Sequence, residues 1–190
     1  MPKKILILFG SPIKNGNTAK LVEWFCRGVN SRKAEVEVIN TGLLKYKVNG
    51  CISCRKCQKL KAYACVIKDG AEPVWSKMAE ADVIVMATPL YFYGPSAQLK
   101  LIIDRMFSLY KWDNQANTMT TVLAGKTLVL LASAFEDIGL DILKRSFAII
   151  ADYSGMKFES LLIKNAGESG EIIKVKGARQ KAIALGKKVA

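Results

Sequence analysis

The chain has 190 residues, 51% of them hydrophobic, and its 29 Lys and Arg outnumber 16 Asp and Glu to give a formal charge of +13. That length suits one domain, residues 1–190, because single cores commonly run to roughly 250 residues before splitting. Histidine is absent, which excludes serine–histidine and cysteine–histidine nucleophile pairs and histidine-ligated metals.

The first apolar run, Ile5–Phe9, ends at Gly10-Ser11-Pro12. It is too short for a signal-peptide core, so a cytoplasmic protein is expected. It reads instead as a buried strand. A helix over Thr18–Ser31 follows, with Leu21, Val22, Phe25 and Val29 at helical spacing and Cys26 on the same apolar stripe. Glu35–Ile39 forms the next strand, and a cysteine-rich loop at about 50–66 separates it from a helix at Glu72–Ala81. Then come a strand at Asp82–Ala87, a helix at Ser96–Trp112, a strand at Thr127–Ala132, a helix at Leu140–Tyr153, a strand at Phe158–Ile163 and a last helix at Lys176–Val189. This strand–helix alternation predicts an α/β doubly wound parallel sheet, whose ligands bind outside the carboxyl ends of the strands. The longest apolar run, Thr127–Ala134, is strand-sized, far from the roughly 20 residues that cross a bilayer, so no membrane partner is expected. The basic residues are spread along the whole chain with no arginine-rich arm or RNA-binding sheet motif, so no nucleic-acid partner is expected either.

Two loops carry chemistry. Gly10-Ser11-Pro12-Ile13-Lys14-Asn15-Gly16-Asn17-Thr18 ends a buried strand and opens a helix, supplying hydroxyls and backbone N–H groups at a positive helix terminus, which favours a phosphate. It matches neither the Walker nor the dinucleotide glycine pattern. An ordinary turn with Asn17 or Thr18 as helix cap is the alternative. Thr88-Pro89-Leu90-Tyr91-Phe92-Tyr93-Gly94-Pro95-Ser96 places three aromatics at the end of the third strand. They suit packing along a planar aromatic ligand, or filling a subunit interface.

Together with the cysteine cluster, ILILFGSPIKNGNT and ATPLYFYGPSAQLKLIIDR resemble the NADPH-dependent FMN reductase family of flavodoxin-like proteins, and within it the iron–sulfur flavoproteins. The resemblance covers roughly residues 3–163. It implies a five-stranded parallel sheet in the order 2-1-3-4-5 with helices on both faces. It also implies that Ser11, Lys14, Gly16, Asn17 and Thr18 cradle the FMN phosphate, while Pro89, Leu90, Tyr91, Phe92 and Tyr93 line the isoalloxazine. No side chain need be catalytic, since the flavin carries the redox chemistry. At the third flavin-facing loop many relatives are glycine-rich, whereas this chain has Ala132-Ser133-Ala134-Phe135-Glu136-Asp137, and no ligand role is carried over to Ser133–Asp137. The family further implies a homo-oligomer, dimer or tetramer, whose subunits meet near the flavin.

Cys51, Cys54 and Cys57 stand at every third position, Cys65 follows, and only Cys26 lies outside this group. In a reducing compartment thiolate ligation of a metal is a better reading than disulfides. The spacing resembles that which wraps one 4Fe–4S cluster, as in the iron–sulfur flavoproteins. An empty site in an ordinary FMN reductase, and a zinc site, are the competing readings. Arg55, Lys56, Lys59 and Lys61 interleave the cysteines, as a solvated face or as a greeting for an acidic electron-transfer protein. The segment follows the second strand, so it is expected at the flavin end of the sheet, with the cluster near enough to FMN to exchange single electrons. The expected activity is an FMN-dependent oxidoreductase or redox carrier coupled to that cluster. The alternative is an NAD(P)H-dependent FMN or quinone reductase without one; no nicotinamide fingerprint is present.

Overall fold

The computed structural model describes residues 2–113 and 115–190. Five parallel strands form the central sheet: β1 (Lys4–Phe9), β2 (Glu35–Asn40), β3 (Val83–Pro89), β6 (Thr127–Ser133) and β7 (Lys157–Ile163), in the order β2-β1-β3-β6-β7. This is the expected 2-1-3-4-5 arrangement, with the numbers shifted by a separate antiparallel hairpin, β4 (Tyr110–Asp113) and β5 (Thr118–Thr121).

Period-2 alternation divides the sheet's apolar side chains between two cores. Leu6, Leu8, Ile84, Met86, Leu128 and Leu130 pack under α2 (Glu72–Glu80), α3 (Ala97–Arg105) and α4 (Leu140–Tyr153). Ile5, Ile7, Val83, Val85, Val129 and Leu131 pack under α1 (Asn17–Asn30) and α5 (Ala178–Val189). Both faces of the central strands are therefore covered, which is why they read as continuous apolar runs. Helices α1 and α5 cross at two glycines. A Cβ on Gly28 would lie 2.1 Å from the Ile183 carbonyl oxygen, and one on Gly186 would lie 2.2 Å from that of Phe25.

The helix expected over Ser96–Trp112 is shorter in the structure. It ends at Arg105, a 3-10 turn spans Met106–Leu109, and Tyr110–Asp113 is strand. Pairing decides this: Tyr110 lies opposite Thr121 and Trp112 opposite Met119, while the Tyr110 hydroxyl meets Ser154 Oγ at 2.6 Å. Aromatic and β-branched residues favour such cross-strand pairs over the crowded interior of a helix. Among the described residues no helix is long and apolar enough to cross a membrane.

Candidate functional site

Three loops meet at the carboxyl ends of β1, β3 and β6. Gly10 approaches the start of α3 closely: its N–H donates to the Ala87 carbonyl at 2.8 Å, and Ser96 Oγ donates to its carbonyl. A Cβ at Gly10 would fall 2.6 Å from Cβ of Leu99, so only glycine fits. Ser11 closes the loop locally, its Oγ accepting from the Ile13 N–H at 3.2 Å. Gly16 caps α1 without any side-chain bond, and the first turn carries no acidic residue. The terminus of a 14-residue helix is thereby left open to an anion.

Neither Asn17 nor Thr18 is the cap considered from sequence. The buried Asn17 amide instead donates to the carbonyls of Ala166 and Glu168 at 2.8 and 2.9 Å, and its Oδ1 accepts from the Ile172 N–H at 3.1 Å. Its side chain fastens α1 to the segment before α5, leaving only its backbone for a ligand. Thr18 Oγ1 meets Ser133 Oγ at 3.3 Å, both buried. The Ser133 carbonyl in turn accepts from the Leu90 N–H at 2.9 Å. One residue of the third loop thus ties the phosphate-type loop to the aromatic loop.

The aromatics are more exposed than an apolar wall in a closed pocket would be. Tyr91 and Gly94 exchange two backbone hydrogen bonds at 3.0 Å. The residues between them, Phe92 and Tyr93, have φ of 43° and 64°. This two-residue turn normally takes Asn-Gly; bulky side chains there are strained. Phe92 is fully exposed and Tyr93 about half exposed. With Leu90 they face Ala134, Phe135, Glu136 and Ile138 across a cavity of about 310 Å³. Pro89 and Tyr91 do not line it. The Phe135 ring covers Gly167, where a Cβ would fall 2.0 Å from the ring, and Tyr93 covers Gly139 in the same way at 2.3 Å. The stretch to which sequence carried over no role is therefore one wall of the site. Its signal was Gly139 and Gly167, small residues beneath aromatic rings, which sequence alone does not pair.

The cysteine segment is anchored elsewhere. Gln58 donates to the Tyr110 carbonyl at 3.0 Å and accepts from the Trp112 N–H at 3.3 Å; Lys111 donates to the Cys57 carbonyl at 2.6 Å. The unexpected β4–β5 hairpin is thus the clamp on this segment. Cys51, Cys54, Cys57 and Cys65 line one narrow cavity of about 20 Å³ together with Arg105 and Ser108. This corrects the expectation that the segment lies at the flavin end. The cavity sits at the carboxyl end of α3, one helix length, about 13 Å, from Ser96 at its start. All five cysteines are free thiols, and among the described residues no three His, Cys, Asp or Glu side chains converge to hold a metal ion. Cys26 packs against the α1/α5 core, where burial pushes its thiol up to about 11.

Beneath the cysteines Arg105 makes a buried, two-pronged ion pair with Asp69 at 2.8 and 3.1 Å. Burial would raise the Asp69 carboxyl, but the bonds from Arg105 and from the N–H groups of Lys47 and Ala71 hold it below the ordinary value.

Residues 3–158 match the family model described as NADPH-dependent FMN reductase. The chain belongs to this family. It is 37% identical over 102 residues to an iron–sulfur flavoprotein of Methanocaldococcus jannaschii, covering 54% of this chain and 51% of that one. The chain spans about half the length of the curated relatives it matches. Among solved structures, an NAD(P)H:quinone oxidoreductase of Methanothermobacter marburgensis superposes with a TM-score of 0.74 at 14% identity, over 99% of this chain and 97% of that one. An FMN-dependent NADH-azoreductase of Bacillus anthracis, in complex with FMN, superposes with a TM-score of 0.68 at 13% identity, over the whole of both chains. These superpositions establish the flavodoxin-like fold of this family member.

Proposed function

We propose that this family member is an FMN-dependent NAD(P)H oxidoreductase with its flavin in the three-loop site. The carrying observation is the Thr18–Ser133–Leu90 linkage, which joins an anion-ready helix terminus to an aromatic wall. The phosphate is held by Ser11, Lys14, Gly16 and Thr18, with Asn17 contributing its backbone. Leu90, Phe92 and Tyr93 lie along the ring, with Pro89 and Tyr91 shaping their turn. When bound, FMN would supply the one- and two-electron redox chemistry that these side chains cannot. The protein's part is to orient the ring, keep one face open to a donor and exclude water from the other. FMN is favoured over FAD because the loop offers one anion site.

We further propose that Cys51, Cys54, Cys57 and Cys65 hold a 4Fe–4S cluster. Several features support this. Four thiols share one cavity. Gly50, Ser53 and Arg55 adopt left-handed backbone with φ of 87°, 54° and 54°. Among the described residues the N–H groups of Cys51 to Arg55 find no acceptor within the chain, and runs of such groups suit an anionic, sulfur-rich ligand. Residues 51–56 of the segment are exposed, so a group larger than the cavity would be accommodated on the solvent side. Among the described residues no three ligand side chains converge, which supports a second reading, an NAD(P)H-dependent FMN or quinone reductase without a cluster.

One experiment separates these. Protein purified without oxygen should release FMN on heating and contain close to four iron and four sulfide per chain. FAD, or no flavin after reconstitution, overturns the first proposal; less than about one iron, or zinc, overturns the second alone.

A cytoplasmic, single-domain homo-oligomer, dimer or tetramer, completes the proposal. Exposed Phe107, Trp112 and Tyr153, which line one surface hollow, support it, since such apolar area is costly in a monomer. An acidic electron-transfer protein would suit the lysines of the cysteine segment. Sedimentation as a monomer at micromolar concentration would refute the assembly.

A further inference from the structure

Only three buried side-chain polar atoms lack a partner among the described residues: Nε1 of Trp75, Nε of Arg105 and Oγ of Ser108. Arg105 and Ser108 both line the cavity of the four cysteines. A buried donor left without an acceptor is a standing cost, so each such group asks for an explanation.

We propose that Arg105 and Ser108 form the floor of the cysteine cage, where they donate through Nε–H and Oγ–H to the anionic sulfur of a metal group held by Cys51, Cys54, Cys57 and Cys65. They are positioning residues, and the inference rests on the metal-site reading of those cysteines. The rest of the guanidinium is already committed. Both terminal nitrogens bond Asp69, which is as deeply buried as Arg105 itself, at 0% and 1% side-chain exposure. The Trp75 ring lies 5.3 Å below the guanidinium carbon. This leaves Nε as the one nitrogen without a partner, in a fork that cannot swing away. A fixed cation beside several thiolates offsets charge that burial would otherwise disfavour. Hydrogen bonds to metal-bound sulfur orient the ligands and raise affinity, and their loss commonly costs about 10–100-fold in metal binding.

The test uses the full chain loaded with FMN. Cobalt(II) binding is followed by thiolate-to-cobalt absorption in the wild type, Ser108→Ala and Arg105→Lys, alongside urea unfolding of each metal-free protein. Ser108→Ala removes an unpaired hydroxyl, so its metal-free stability should be unchanged or higher, while its cobalt affinity falls about 10–100-fold. Arg105→Lys keeps the charge opposite Asp69 but loses Nε and should weaken cobalt binding similarly. If both variants bind cobalt as tightly as the wild type, the inference fails and the metal-site reading stands. If Ser108→Ala loses metal-free stability in step with affinity, its role is structural and the inference also fails. If the wild type binds neither cobalt nor a cluster rebuilt from ferrous iron and sulfide, both readings fall.

Discussion

Thr18 and Ser133, 115 residues apart in the chain, meet hydroxyl to hydroxyl at 3.3 Å in a buried position. The contact fixes the first turn of α1 against the end of β6. Thr18→Val and Ser133→Ala are each expected to weaken FMN binding by about 1–3 kcal/mol, the cost of a lost hydrogen bond near a charged group. Quenching of flavin fluorescence on titration measures this. Unchanged affinity in both variants would make the contact purely structural.

Asn17→Ala should behave differently. Its amide makes three bonds to the segment before α5, so the metal- and flavin-free protein should lose about 2–4 kcal/mol of unfolding free energy in urea. A variant of wild-type stability that nevertheless binds FMN poorly would place the Asn17 side chain on the phosphate instead.

Phe92 and Tyr93 occupy left-handed positions that favour Asn and Gly. Replacing them together by Asn and Gly should raise the stability of the flavin-free protein by about 1 kcal/mol by relieving strain, while FMN affinity drops. Thermal unfolding and flavin titration on the same samples decide it. Retained affinity would remove both rings from the ligand wall.

Gly28→Ala should destabilise the fold by about 2–3 kcal/mol, because a methyl there meets the backbone of α5 rather than a movable side chain. Wild-type urea stability would show that the α1/α5 crossing separates at little cost.

The Asp69–Arg105 pair gives a pH signature. The Asp69 carboxyl lies below its ordinary value, so its contribution is complete above about pH 4, the unfolded carboxylate value, and is lost as pH falls through the lowered one. Asp69→Asn should flatten acid unfolding in that window and cost about 3–5 kcal/mol at neutral pH, since Arg105 is left buried without its anion. Equal acid sensitivity in wild type and variant would assign the transition to other carboxylates.

The sequence alone determined the sheet, its five parallel strands and the loops that close β1 and β3. These depend on local periodicity and on glycines and hydroxyls next to one another along the chain, as in Gly10–Thr18. Family membership was legible for the same reason. Tertiary structure decided what depends on pairing between distant residues. Tyr110–Trp112 looked helical until Thr118–Thr121 lay beside Tyr110–Asp113 as a strand. Ser133 had no role until Thr18 and the Leu90 N–H met it. The cysteines, spaced for one metal group, were expected beside the flavin because they follow β2. The long segment carrying them is instead tied down by Gln58 and Lys111 at the hairpin and by Asp69 on Arg105. Spacing in sequence says which thiols can act together, whereas the buried ion pair and the hairpin beneath them decide where they do so.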